Sequence, residues 1–416
     1  MRRTTHTTAG GGALGLAAGF LLALLAAAPA RAQVFEPEGE DNDPEVFAEV
    51  DPWTGGEGFE RLGYVRVGSL VLPGPTTSEE VEQVLGGIPM LWVETAHFKL
   101  GSSLKTYRLQ RDADEEDKLG DELKALGEKL GRFKAPRNEL DPWLRLHLAA
   151  QRLEALHDDF VATFELGEVA FGPPAEGMGA GPYLGQKEKF LVLLFEKSGS
   201  LARYTRRFTG NEQLFSYRYG FTDGGYVFGL AAESLRQNGY TLDAPLHTTM
   251  AFGVVNNLCD GFRGTWGAAP LWFKYGLGHR ASRAIDPRWN LYEGGTGHVD
   301  QRDDAWVWEP RIRGLVANEV YPSFEEMLGW TQWDQMKQRD HMMAWSRVTW
   351  LLERKASDPR AFLMGVTEPP PEGQWEVPPE LRASRQAAAF VAAFGGTPAE
   401  LEAEWVRHVK KRYPRK

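Results

Sequence analysis

Cysteine is all but absent: 416 residues include one, Cys259. A single thiol excludes an internal disulfide and a cysteine-built zinc site. An excess of positive charge is missing as well. Asp and Glu number 57 against 47 Lys and Arg, giving a net charge of −10, so nucleic acid is not an expected partner. Long apolar runs are scarce. The one uninterrupted stretch, Ala13 to Ala28, is shorter than the roughly 20 residues that span a bilayer, and no later segment approaches that length. No internal repeat is visible. What remains is globular in proportion, with 42% hydrophobic and 25% charged residues. Disorder, collagen and coiled-coil arrays are excluded as descriptions of the whole chain. The length allows two or three units and a sizeable core.

The first 32 residues read as a secretory signal. Arg2 and Arg3 precede the apolar run, and Ala30-Arg31-Ala32 offers an A-x-A cleavage site before Gln33. The expectation is a periplasmic or extracellular protein cleaved near Ala32, with no transmembrane segment in the mature chain. No cysteine follows the run, so a bacterial lipid anchor at that point is excluded. Residues 33–90 follow as an acidic leader, with Glu36, Glu38, Glu40, Asp41, Asp43 and Glu45, and an N-terminal strand region around Tyr64 to Leu72.

Strands are expected at Leu91 to Leu100 and at Phe190 to Phe195, with a hairpin over Tyr217 to Gly229. Leu119, Leu123, Leu126 and Leu130 are spaced as one face of a helix over Asp112 to Leu130. Asp141-Pro142 starts a second helix that runs to Phe164, and Asp243, with Pro245 behind it, is expected to cap a third. Pro270 to Ala284 forms a fourth. Further helices are expected at Leu201 to Phe208, Phe324 to Leu328, His341 to Arg354, Leu381 to Phe394 and Pro398 to Tyr413, the last with a Thr397/Glu400 capping box. The fold class is α+β: an αβ domain over 91–285, then a mostly helical subdomain over 286–416.

Several of these segments, from Trp92 to Tyr413, resemble in order the gluzincin zinc metallopeptidases, in particular the peptidase MA-like proteins of bacterial envelopes. The segments are Trp92 to Phe98 (WVETAHF), Phe190 to Phe195, Gly220 to Phe228, His247 to Ala251 (HTTMA), Pro270 to Gly278 (PLWFKYGLG), His341 to Leu352 and Phe394 to Tyr413. The resemblance implies a thermolysin-like αβ domain. It also implies that Gly220 to Phe228 holds the edge strand that flanks a peptide substrate. In that family two His at i and i+4 and a Glu on the next helix hold Zn²⁺, and a Glu beside the first His activates the bound water. Position by position, this chain keeps His247. It has Thr248 at the general-base position, Ala251 at the second His and Tyr275 at the third ligand. Ala has no donor atom, Thr is no base near neutral pH, and Tyr is a poor replacement ligand. The expectation is therefore no catalytic residue, no metal and no cofactor, with His247, Thr248, Ala251, Tyr275, His279 and His341 as candidates around a vestigial ligand-binding cleft.

The function expected is an exported peptidase-like protein that acts as a non-catalytic binding or structural module of the envelope, its ligand a peptide, protein or glycan. One alternative is a hydrolase rebuilt from His247, Tyr275, His279 and His341, which needs two of them within roughly 2.6–3.2 Å. Another is an envelope carbohydrate-binding protein using indoles such as Trp306 and Trp308, from a stretch that also holds Trp330, Trp333, Trp345 and Trp350. Other motifs read as structure. Gly177-x-Gly179-x-Gly181 lacks a flanking strand and helix, Ser102-x-x-Lys105 lacks its β-lactamase companions, and His298, Asp300, Asp303 and Asp304 form an acidic loop. Cys259 reads as a buried, inert thiol.

Overall fold

The computed structural model describes residues 50–415 apart from 56–57, 75, 132, 168, 170, 172–179, 222–224, 265–268, 291–305, 333–335, 372–373 and 375–376. Contacts separate Met1–Asp43 from Pro44–Lys416, and every element below belongs to the second unit. The expected signal segment, Gly177, Gly179, Trp333 and the His298–Asp304 loop lie outside the described residues. Among the described residues no helix is long and apolar enough to cross a membrane.

The strands are β1 (Arg66–Val67), β2 (Val71–Leu72), β3 (Thr76–Thr77), β4 (Leu91–Glu94), β5 (Phe98–Ser102), β6 (Tyr107–Arg108), β7 (Glu139–Leu140), β8 (Phe190–Phe195), β9 (Ser216–Gly220) and β10 (Tyr226–Ala231). The helices are α1 (Ser78–Val84), α2 (Ala113–Leu130), α3 (Pro142–Thr163), α4 (Ser198–Thr209), α5 (Ala232–Gln237), α6 (Asp243–Gly261), α7 (Leu271–Ile285), α8 (Trp308–Ala317), α9 (Phe324–Leu328), α10 (Gln338–Glu353), α11 (Pro359–Val366), α12 (Pro379–Phe394) and α13 (Pro398–Arg412). The class is α+β, with one mixed sheet and a helical C-terminal region.

The main sheet has the order β1-β4-β5-β8-β10-β9. Its middle is parallel, β5 to β8 and β8 to β10, and its flanks are antiparallel. The run FLVLLF of β8 is apolar throughout because both of its faces are covered. Phe190, Val192 and Leu194 enter the main core with α3 and α6, while Leu191, Leu193 and Phe195 pack with Val81, Leu85, Leu201 and Tyr204 of the α1/α4 layer. The leucine stripe of α2 closes on Leu140, Leu144 and Leu148, as its spacing predicts. The expected capping box of α13 is present, and Asp141 caps α3 ahead of Pro142.

Three expectations change. The segment Leu91 to Leu100 is a hairpin rather than one strand, because Thr95 folds back to accept the amide of Phe98 on its hydroxyl and closes a turn. Asp243 is the first helical residue of α6, not its cap; its carboxylate is taken instead by the guanidinium of Arg152 at 2.6 Å. The sheet edge is β9, while β10 lies inside the sheet, so only the first strand of the Tyr217 to Gly229 hairpin is exposed to pairing.

Helix α7 is the hub of the helical region. A Cβ on Gly278 would lie 2.5 Å from Asn256 Nδ2 and 2.8 Å from Phe252 of α6. One on Gly276 would lie 2.5 Å from Val348 and 2.6 Å from the Ala344 carbonyl of α10. The two glycines let α7 approach both neighbours more closely than any side chain would permit. Trp272 of α7 donates its indole N–H to Gln386 of α12 at 3.0 Å, and Gln386 donates to the Leu328 carbonyl of α9. Arg347 of α10 is fully buried, paired to both oxygens of Glu402 on α13, and lies 4.4 Å over the Phe324 ring and 4.5 Å over Trp405.

Candidate functional site

His247 stands one turn into α6, 6% exposed. Its Nδ1 lies 3.5 Å from Glu122 Oε1 of α2 without a hydrogen bond between them. Burial first, then the positive charges of Arg152 and Lys118, hold the imidazole well below its ordinary pKa, so it is neutral. Arg152 of α3 reaches Glu122 at 2.5 Å and Asp243 at 2.6 Å. Burial opposes its charge, but the two carboxylates outweigh that cost and raise its pKa. Lys118 donates to the Ile285 carbonyl, and burial lowers its pKa. Glu115, raised by burial, accepts from Tyr107 and from the amide of Ala244.

Thr248 and Ala251 are fully buried. The Thr248 hydroxyl donates to the Pro245 carbonyl, a local bond that occupies its proton. Tyr275, 2% exposed, packs its ring against Phe252 at 5.5 Å and stacks on His341 at 5.7 Å. These residues do not fit a zinc ion. Among the described residues no three His, Cys, Asp or Glu side chains gather where they could hold a metal.

The structure brings three of the candidates together and leaves His247 facing another way. His279 of α7 and His341 of α10 share a hydrogen bond, Nε2 to Nδ1, at 2.9 Å. His279 Nδ1 contacts Asn290 Oδ1 at 3.2 Å, and its ring lies edge-on to Trp308. The pair is 0% and 5% exposed. Burial drives His341 down to about 3 and His279 well below its ordinary value, so both rings are neutral, one donating and the other accepting. Neither ring lines a cavity described below. Trp308 is buried, with the Arg283 guanidinium 4.4 Å from its ring centre and 4.3 Å from that of Trp345. Trp306 is half-buried and lines the larger cleft chamber described below, as does Trp345.

His247, Arg152, Ile285, Pro287 and Trp306 line both chambers of one cleft, of about 310 and about 680 Å³. The larger chamber lies between α2, α3, α7 and α10, and its remaining wall includes Glu122, Gln151, Asp159, Arg280, Arg283, Thr349 and Glu353. The edge strand β9 is tied elsewhere: Arg218 reaches Asn257 and Asp260, about three turns further along α6 than His247.

The floor residues Glu122, Lys118 and Arg152 were not foreseeable as site residues. The available signal was Arg152 itself, a charge between Leu148 and Leu153 on the apolar side of α3. A second unforeseen cluster lies at the β4–β5 turn. The rings of His97 and His157 stack at 3.5 Å, Glu154 meets His97 Nδ1 at 2.7 Å, and burial with the neighbouring His97 lowers His157 to about 4. No protein-family model and no curated protein matches the chain.

Proposed function

We propose that the protein is an exported, gluzincin-like scaffold that binds a ligand in the His247 cleft without cleaving it. The observation that carries this reading is the fate of the four positions the peptidase chemistry needs. His247 is a lone neutral imidazole beside Glu122 and Arg152, Thr248 is bonded to its own helix, Ala251 is sealed in the core, and Tyr275 is stacked on His341. The helix position after His247 carries no base, and among the described residues no three His, Cys, Asp or Glu gather around a metal position, yet the cleft retains a volume and mixed wall suited to a small ligand. The packing of α7 along α6 supports the ancestry, because the resemblance requires those two helices to be neighbours.

Purified mature protein is expected to contain no stoichiometric zinc by elemental analysis and to leave casein intact. One tightly held equivalent of metal, with cleavage that a chelator stops, would overturn the reading. A rebuilt hydrolase has one observation in its favour, the 2.9 Å His279–His341 bond. Both rings are buried, and neither lines either chamber of the cleft.

A further inference from the structure

We infer that the smaller chamber is an imine-forming site, in which the side-chain amine of Lys118 condenses with a small, uncharged aldehyde. The inference rests on the ligand-binding reading of the same cleft and names the class of ligand.

Every acid that lines this chamber is engaged by a group other than Lys118. Asp114 and Asp286 pair with Arg288 at 3.5 and 2.7 Å, and Asp243 pairs with Arg152 at 2.6 Å. Glu115 accepts from the Tyr107 hydroxyl and from the amide of Ala244. Among the described residues Lys118 forms no ion pair. Its Nζ donates to the Ile285 carbonyl at 3.0 Å, and Ile285 belongs to the same wall. The side chain is half-buried and lines the chamber, so it is neither sealed in the core nor fully hydrated.

That setting turns an amine into a nucleophile. A carboxylate at ion-pair distance would hold the nitrogen as ammonium, with its lone pair occupied by a proton. Here burial lowers the pKa of Lys118; Glu122, Asp286 and Asp243 oppose the shift without reversing it, and Arg152 adds to it. His247, which lines the same chamber, is neutral and offers no counter-charge. In the step itself the nitrogen lone pair adds to the aldehyde carbon, and a proton passes from nitrogen to the former carbonyl oxygen. The carbinolamine then loses its hydroxyl group and the second nitrogen proton as water, leaving a C=N bond. No oxidant or reductant is consumed.

The volume of about 310 Å³ suits a compound of a few carbons. A carboxylate is the competing class, because it would supply Lys118 with a counter-ion. The lining argues against it: four acids, Asp114, Glu115, Asp243 and Asp286, face three bases, Lys118, Arg152 and Arg288. An anion entering there meets a wall whose positive charges are already outnumbered.

The test treats purified mature protein with propanal, butanal or benzaldehyde in the presence of sodium cyanoborohydride, which reduces an imine to a stable secondary amine. Peptide mass spectrometry then follows the adduct at each lysine, with Lys124, exposed on the same helix, as the internal reference. For at least one aldehyde, Lys118 should be modified about tenfold or more faster than Lys124 at neutral pH, with a pH profile lying about one unit or more lower. The Lys118 rate should also saturate below about 10 mM aldehyde, as a bound ligand requires. Lys118→Met should remove the fast adduct and leave the rate at Lys124 unchanged. Equal rates at the two lysines for all three aldehydes, or a Lys118 rate that stays linear in aldehyde throughout, overturns the inference. Saturable acetate binding that is lost in Lys118→Met, with no adduct at Lys118, sinks the aldehyde class but leaves the binding module standing. Chelator-sensitive cleavage of casein sinks the binding module itself.

Discussion

Four histidines of this protein are buried neutral bases, and that has a consequence for pH. His247, His279, His341 and His157 all have folded pKa values below the ordinary 6.5, His341 at about 3 and His157 at about 4. As pH falls below about 6.5, each of these side chains takes a proton in the unfolded chain and not in the folded one. The stability these groups give is therefore full above that pH and falls as pH drops below about 6.5, the contribution of His157 levelling off near 4 and that of His341 near 3. Each such histidine adds a slope of about 1.4 kcal/mol per pH unit. Urea midpoints measured from pH 8 to pH 4.5 should fall steeply, and His341→Gln should make the fall shallower. An unchanged slope in that variant would mean that His341 titrates as it does in water. At this scale the sequence was partly legible. His247, Thr248 and Ala251 were expected on one helix and Tyr275 on the next, and they do lie on α6 and α7, because a helix is signalled by local spacing. Glu122 and Arg152 were not, since what brings them to His247 is the packing of α2 and α3 against α6, which no local spacing records.

At the scale of elements, α7 sits between two partners by virtue of Gly276 and Gly278. Replacing Gly276 with Ala places a methyl group 2.6 Å from the Ala344 carbonyl, and backbone cannot step aside as a flexible side chain can. Gly276→Ala should cost about 1–3 kcal/mol or more of unfolding free energy. Gly120, in α2, has open space around it, so Gly120→Ala should stabilise by up to about 1 kcal/mol through helix propensity alone. Thermal unfolding of the two variants side by side checks both signs; equal effects would mean the close approach of α7 to α10 is not tight. The elements best read from sequence were long or strongly signalled: the leucine stripe of α2, the Asp141-Pro142 start of α3 and the Thr397/Glu400 box of α13. Four helices escaped. α1, α5, α8 and α11 span 7, 6, 10 and 8 residues, too few turns for a 3.6-residue period to emerge. Asp243 misled for a different reason: a cap competes with any stronger partner, and Arg152 was one.

At the scale of the whole molecule, the sheet was legible as strands but not as an order. Nothing in FLVLLF says that its neighbours are Phe98–Ser102 and Tyr226–Ala231, though a run apolar on both faces does say that it lies inside. That centre has a bearing on how the chain is made. β5 is buried at every position, yet its parallel partner Phe190–Phe195 lies about ninety residues downstream, a contact of the slow, non-local kind. A polypeptide stopped before Phe190 would carry Phe98–Ser102 as a strand with one row of amides and carbonyls unclaimed, a template for another copy of itself. Such a fragment should sediment as aggregate where the full-length protein stays dispersed, and a fragment that remained monomeric would show that β8 is not what shields it.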